Sequence, residues 1–184
     1  MKKRIVLTGG PASGKTTLLN YIRSRNYFCF PEVSRDITKK AQEQGIPHLF
    51  LKDPLAFSQE VWKQRRKHFR QADSLPETSS PLFYDRGLPD TVAYHRYTNE
   101  YYPEIWDRYC QDNRYDCVFY LPPWKEIYVQ DTERYETFAE AEKIAAHLKE
   151  TYESYKYTVI EIVPGSLEDR FVQIKTYLRK KFLL

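Results

Sequence analysis

The sequence predicts an α/β domain in which a parallel sheet carries helices on both faces. Three observations predict it. Short apolar runs alternate with helix-spaced segments about five times along the chain. The join between the first run and the first helix is rich in glycine, as a tight strand-to-helix turn requires. The 184 residues, 41% hydrophobic and 29% charged, suit one folded unit with its own core, read here as a single domain over 1–184.

The first run, Ile5-Val6-Leu7, reads as a buried strand. Gly9-Gly10-Pro11-Ala12-Ser13-Gly14-Lys15-Thr16 follows and fits G-x-x-x-x-G-K-[ST] without a mismatch. Thr17-Leu18-Leu19-Asn20-Tyr21-Ile22 then resumes at helical spacing. This is the order of a P-loop. Its glycines let consecutive N–H groups aim inward, and the helix start adds unpaired N–H groups and partial positive charge. A triphosphate such as ATP is the expected ligand, held by Gly9, Gly10, Pro11, Ala12, Ser13, Gly14, Lys15, Thr16 and Thr17. Lys15 is expected to reach solvent and to neutralise the β and γ phosphates, with Thr16 on Mg²⁺. The bland alternative is an ordinary Gly-rich turn.

Tyr27-Phe28-Cys29-Phe30 reads as the second strand, stopped by Pro31. Glu32 and Arg35 then sit at its carboxyl end, where open parallel sheets bind ligands; an ion pair between them is the structural alternative. Val33 to Gln44 is helical, ended by Gly45-Ile46-Pro47. Asp53-Pro54 starts a long helix to about Asp73, with Asp as N-cap and Pro in the first turn. Its basic run, Lys63 to Arg70, reads as a solvated face with Leu55, Trp62 and Phe69 turned inward. Pro81-Leu82-Phe83-Tyr84-Asp85 is a strand ending in a carboxylate before Arg86-Gly87. Beside a P-loop, Asp85 is placed to hold Mg²⁺ or its water; the alternative is a cap on the next turn. Further helices are expected from Leu88 to about Tyr97 and from Glu104 to about Asn113, then a strand over Tyr115–Leu121. Trp124 to Glu136 lacks a period and is long for a loop, so a lid over about 122–136 is expected. Helical spacing returns at Phe138, Ala141, Ile144, Ala145 and Leu148. Tyr157–Val163 reads as the last strand, and Ser166 caps a final helix from Leu167 to about Phe182.

Composition narrows the function classes. No apolar run approaches the roughly 20 residues of a membrane span, and the basic start runs straight into the loop, which points to an intracellular, cytoplasmic protein. A net charge of +4 suits phosphates but does not argue for nucleic acid. Cys29, Cys110 and Cys117 have no C-x-x-C spacing and read as free thiols. His48, His68, His95 and His147 are far apart and are assigned no catalytic role; the 16 tyrosines read as packing. Nothing here sets the oligomeric state.

Four stretches carry a resemblance: Val6 to Thr17, Pro31-Glu32-Val33-Ser34-Arg35, Tyr84-Asp85-Arg86-Gly87-Leu88-Pro89-Asp90, and Asp131-Thr132-Glu133-Arg134. They resemble the small ATP-binding family classed with AAA-type ATPases, near the nicotinamide riboside kinase domain and the nucleoside and nucleotide kinases. The resemblance implies a three-layer P-loop fold with strand order 2-3-1-4-5. It implies transfer of the γ-phosphoryl group of ATP, with Mg²⁺, to a small hydroxyl acceptor, a nucleoside or ribosyl compound. Glu32 would orient or deprotonate the hydroxyl, Asp85 and Arg86 would serve metal and phosphates, and Arg134 would arrive with the lid. An NTPase, or a nucleotide-binding switch with a protein or lipid partner, stays open. For Arg134 the alternative is an ion pair with Asp131 or Glu133 on a solvated turn.

Overall fold

The computed structural model describes residues 2–11, 13–46, 49–76, 80–128 and 137–182. Five strands, β1 (Arg4–Thr8), β2 (Cys29–Phe30), β3 (Leu82–Asp85), β4 (Cys117–Tyr120) and β5 (Val159–Glu161), form one parallel sheet in the order β2-β3-β1-β4-β5. Eight helices connect and cover them among the described residues: α1 (Lys15–Ser24), α2 (Ser34–Glu43), α3 (Leu49–Lys52), α4 (Pro54–Ser74), α5 (Leu88–Thr98), α6 (Ile105–Asp112), α7 (Phe138–Ser154) and α8 (Leu167–Phe182).

Alternation along the strands sorts the core into two layers. Ile5, Leu7, Phe83, Cys117 and Phe119 pack against Leu18, Leu19 and Ile22 of α1 and Phe171, Ile174 and Leu178 of α8. Val6, Leu82, Tyr84 and Val118 face the other way, onto Trp62 and Phe69 of α4, Leu88 and Val92 of α5, Trp106 of α6 and Tyr152 of α7. Both faces of the sheet are therefore covered, which is why the run Ile5-Val6-Leu7 in the middle of β1 and Leu82-Phe83 in β3 are apolar on both faces. Asp53 caps α4 by accepting from the Ala56 N–H at 2.9 Å. Thr137 and Glu140 form a reciprocal cap on α7, with the Thr137 N–H donating to Glu140 Oε2 at 2.7 Å and the Glu140 N–H to Thr137 Oγ1 at 3.3 Å. Ser166 Oγ accepts from the Asp169 N–H at 3.1 Å at the start of α8.

The sheet agrees with expectation in strand number, direction and order, but the outer strands are shorter than their apolar runs. β2 keeps only the last two residues of Tyr27–Phe30, and β5 three residues of Tyr157–Val163. Both are edge strands that pair on one side only, so little holds their ends in the ladder. Tyr157 instead turns its ring onto Tyr152, and its hydroxyl accepts from the Tyr115 N–H at 3.0 Å. The short helix α3 has no counterpart in the sequence reading. In the expected lid, Lys125–Ile127 forms one 3₁₀ turn; 129–136, including Arg134 and its alternative partners Asp131 and Glu133, lie outside the described residues. Within the basic run, Trp62 and Phe69 are buried as expected and Leu55 is half-buried, but Arg65 is buried too, against the solvated-face reading. The three cysteines are free and buried, and burial raises each thiol, Cys29 to about 11 and Cys117 to about 12. No helix among the described residues is long and apolar enough to cross a membrane.

Gly9 is where the sheet and the loop meet most tightly. Its φ is +145°, and a Cβ there would lie 2.1 Å from the Leu121 carbonyl oxygen. Gly45, at φ +78°, has open space around the same position. Gly9→Ala is expected to lose about 3 kcal/mol or more of stability, since backbone must move, and Gly45→Ala roughly 1 kcal/mol from conformation alone. Urea denaturation of the two variants beside the parent checks both.

Candidate active site

The parallel register brings the candidate residues to one edge. Leu7 pairs with Asp85 and Thr8 with Tyr120, so β1, β3 and β4 end together, and β2 ends beside them at Phe30, paired with Tyr84. Everything that follows those strand ends, namely the P-loop, Glu32 and Asp85-Arg86, converges on the same cleft.

Gly14 sits in the left-handed region at φ 70°, so the chain turns there and α1 opens on Lys15 and Thr16. Thr16 Oγ1 lies 3.3 Å from Asp85 Oδ2. The other carboxylate oxygen, Asp85 Oδ1, is buried with no hydrogen-bond partner. Burial, with Glu32 nearby, pushes the Asp85 carboxyl up to about 6 against the pull of Lys15 and Arg86. The capping alternative for Asp85 does not describe this geometry: the Gly87 N–H at the start of α5 donates to Asp90 Oδ2 at 2.7 Å.

Lys15 departs from the expectation that it reaches solvent. It is buried, and its ammonium donates to the Gly10 carbonyl at 2.7 Å and to Ser13 Oγ at 2.9 Å. A buried ammonium must satisfy its donors, and the loop supplies acceptors within its own turn. Burial, then repulsion from Arg86, brings its pKa down to about 7, with Asp85 and Glu32 opposing. Pro11 is half-buried and Thr17 exposed; Ala12 lies outside the described residues.

Arg86 has φ 69°, unusual for a residue with a side chain, and carries its buried guanidinium between two carboxylates. Its Nε is 3.3 Å from Glu32 Oε1 and its Nη1 3.3 Å from Asp90 Oδ1. Burial opposes this charge, but Tyr94, Glu32, Asp90 and Asp85 outweigh it and raise the pKa. Glu32 also accepts from Ser34 Oγ at 2.6 Å and lies 3.8 Å from Arg35, so the ion pair read as its alternative forms in addition. Burial works to raise the Glu32 carboxyl, yet Arg86, the Ser34 hydroxyl and Lys15 hold it down at about 2.

Sequence reasoning missed three residues here. Asp90 is wholly buried and ties α5 to β1, α7 and the β3–α5 turn: besides Arg86 and Gly87 it accepts from Thr8 Oγ1 at 2.7 Å and from the Tyr152 hydroxyl at 2.6 Å. Arg170 of α8, also buried, donates through Nη2 to the Ser13 carbonyl at 2.8 Å, behind the P-loop. Arg65 of α4 donates through Nη1 to Thr91 Oγ1 at 2.8 Å. Asp90 was legible in principle, as the last residue of the Asp85–Asp90 stretch; the two arginines carry no local signal. Of the histidines, His68 lies on Phe30, with ring centroids 5.0 Å apart, and His95 meets Trp106 edge-on at 5.7 Å; His48 lies outside the described residues.

A family model described as an AAA domain matches residues 4–170. The chain belongs to this AAA-domain family. The match takes in the P-loop, Glu32, Asp85-Arg86 and Arg170, so the family's domain contains the whole cleft. A search of curated proteins finds no match. Among solved structures, the chain is similar to deoxyadenosine kinase from M. mycoides, bound there to dCMP and a flexible dCDP. Identity is 17% over 96% of this chain and 99% of that one, with a TM-score of 0.68. It is similar to NadR in complex with NR at 18% identity and a TM-score of 0.72, covering 97% of this chain and 51% of NadR. It is also similar to thymidylate kinase from Candida albicans, at 18% identity and a TM-score of 0.68 over 97% and 92% of the two chains. At these identities the likeness establishes the P-loop kinase-like fold.

The raised Asp85 has a consequence for stability. An acid whose folded pKa, about 6, exceeds its ordinary value of 3.8 binds its proton more tightly in the folded state. Its contribution is therefore lost as pH rises through that window. Asp85→Asn is expected to stabilise the nucleotide-free protein by on the order of 1 kcal/mol at pH 8, and by less at pH 5. Urea midpoints at the two pH values check it; a gain that is equal at both would mean Asp85 is not held protonated by the fold.

Proposed function

We propose that this protein is an ATP-dependent phosphotransferase that moves the γ-phosphoryl group to the hydroxyl of a small acceptor, a nucleoside or ribosyl compound. The observation that carries the reading is the cleft itself. Thr16 of the P-loop meets Asp85 there, and Arg86, the next residue, pairs with Glu32, all at one edge of the sheet. Phosphoryl transfer needs positioning and charge neutralisation more than covalent chemistry, and this arrangement supplies both.

The donor half would take the triphosphate on the P-loop N–H groups, with Lys15 leaving the Gly10 carbonyl for the β and γ phosphates. The residues fit Mg²⁺: a hydroxyl and a carboxylate lie 3.3 Å apart, and one carboxylate oxygen lacks a partner. Among the described residues no group of three or more His, Cys, Asp or Glu could hold a metal ion, so Thr16 and Asp85 would share it with phosphate oxygens and water. A bound Mg²⁺ would screen charge on the phosphates.

On the acceptor half, a carboxyl held at about 2 is a weak base, because a base works best with a pKa near the operating pH. Glu32 is accordingly read as orienting the hydroxyl, and as taking its proton only after an acceptor has displaced Arg86. The proposed role of Arg134, charge stabilisation on closure of a lid, rests on its place in the sequence alone.

The test is ATP consumption with Mg²⁺ against a panel of nucleosides, nucleotides and hydroxy acids. A phosphotransferase consumes ATP slowly alone and at least tenfold faster with its acceptor. Turnover that no acceptor alters marks a hydrolase, and binding without turnover marks a switch. Lys15→Ala should weaken ATP binding at least tenfold by isothermal titration while leaving the circular dichroism spectrum unchanged. Unchanged affinity would remove the P-loop assignment.

A further inference from the structure

Two buried cations of the site face carboxylates, while Arg170, behind the P-loop, is bonded to the Ser13 carbonyl and has a buried Nε without a partner. Arg86 lies between Glu32 and Asp90, and Lys15 is bonded within the loop under the pull of Asp85 and Glu32. Arg65 is different. It projects from the middle of α4 and is 5% exposed. Its one hydrogen bond among the described residues is to a neutral partner, Thr91 Oγ1, and its Nε is buried with no partner. No carboxylate among the described residues comes within salt-bridge reach of it. A guanidinium keeps its charge at any working pH, so it cannot relieve this situation by losing a proton. A threonine hydroxyl satisfies one donor of five and balances none of the charge.

Arg65 also has a position. Thr91 adjoins Asp90 in the first turn of α5, so the guanidinium sits where α4 and α5 meet, beside the Asp90–Arg86–Glu32 chain of contacts. Its field reaches Glu32 and adds to the forces holding that carboxylate charged. One turn before Arg65, Val61 of α4 packs with Val33, Ile37, Leu49 and Phe57 in a small cluster separate from the main core.

We infer that Arg65 binds an anionic group, a phosphate or a carboxylate, on the acceptor that brings its hydroxyl to Glu32. Arg86 cannot serve the same purpose without leaving two carboxylates. A guanidinium presents its N–H donors as a fork that matches the paired oxygens of either anion, and here Nε has no partner. On this reading the acceptor carries a fixed negative charge beside its hydroxyl, as a nucleoside monophosphate does or, outside the ribosyl compounds, a hydroxy acid. This rests on the cleft being an acceptor site, as proposed above.

The experiment is isothermal titration in the presence of Mg²⁺ and a non-hydrolysable ATP analogue, with matched pairs as probes. Adenosine against AMP and thymidine against TMP read phosphate; shikimate against its methyl ester reads carboxylate. With the unaltered protein, at least one charged member should bind tenfold or more tightly than its neutral partner, and the winning pair tells phosphate from carboxylate. Arg65→Met should erase that preference, and Arg65→Lys should restore part of it by returning the charge without the fork. A neutral member binding as well as its charged partner, no charged member binding, or a preference that survives Arg65→Met would each overturn the inference. Should Arg65→Met not fold, the preference of the unaltered protein and its reduction in Arg65→Lys decide. Phosphorylation is read separately. A neutral nucleoside phosphorylated equally by parent and variant removes the anion reading and keeps phosphotransfer. Arg65-dependent binding without transfer does the reverse.

Discussion

Burying a guanidinium that cannot lose its proton is costly unless it is paired, and Arg86 is the point at which this fold supplies that pairing in full. Two carboxylates hold it: Glu32, after the edge strand β2, and Asp90, in the first turn of α5. The two come from separate parts of the chain and meet only because β2 and β3 lie side by side. The left-handed backbone at Arg86 is tolerated because its side chain is fixed at both ends. Asp90 extends the constraint through Thr8 to β1 and through Tyr152 to α7, so the cleft floor and one of its covering helices share a single hydrogen-bonded anchor. That α7 also presses on the P-loop, where a Cβ on Gly10 would fall 2.6 Å from the Ala141 carbonyl, makes the same helix a wall of the phosphate site.

The fold was legible because its signals are local and repeated. The motif from Gly9 to Thr16 announces a strand before it and a helix after it, and Asp53-Pro54 announces α4. The outer strands were overextended because apolar residues such as Tyr157 also serve the core from outside the ladder. The sequence pattern records burial, and burial alone does not distinguish a paired residue from an adjacent unpaired one.

The site was legible to a smaller degree. Glu32, Asp85 and Arg86 follow strand ends, and a parallel sheet gathers strand ends at one edge. What could not be read is which charges oppose one another across the cleft. Arg65 belongs to a basic run whose neighbours Lys63 and Lys67 are exposed, and only the rotation of α4 separates it from them. Arg170 lies in the last helix, far along the chain from the loop it contacts. The burial of Lys15 is illegible for a related reason: the motif specifies what the residue does to phosphates, not where its ammonium finds acceptors within the loop.

The three buried thiols have a practical side. Alkylating and disulfide reagents attack thiolate, and these cysteines are covered by side chains with their thiols shifted above the usual range. Cys29 and Cys117 line the layer shared with α1 and α8, while Cys110 packs with Trp106 in the opposite layer. Their rates of modification therefore report separately on the opening of the two halves of the core, with no label added. The same inertness means that a cysteine introduced on the surface could be tagged selectively in the otherwise native chain.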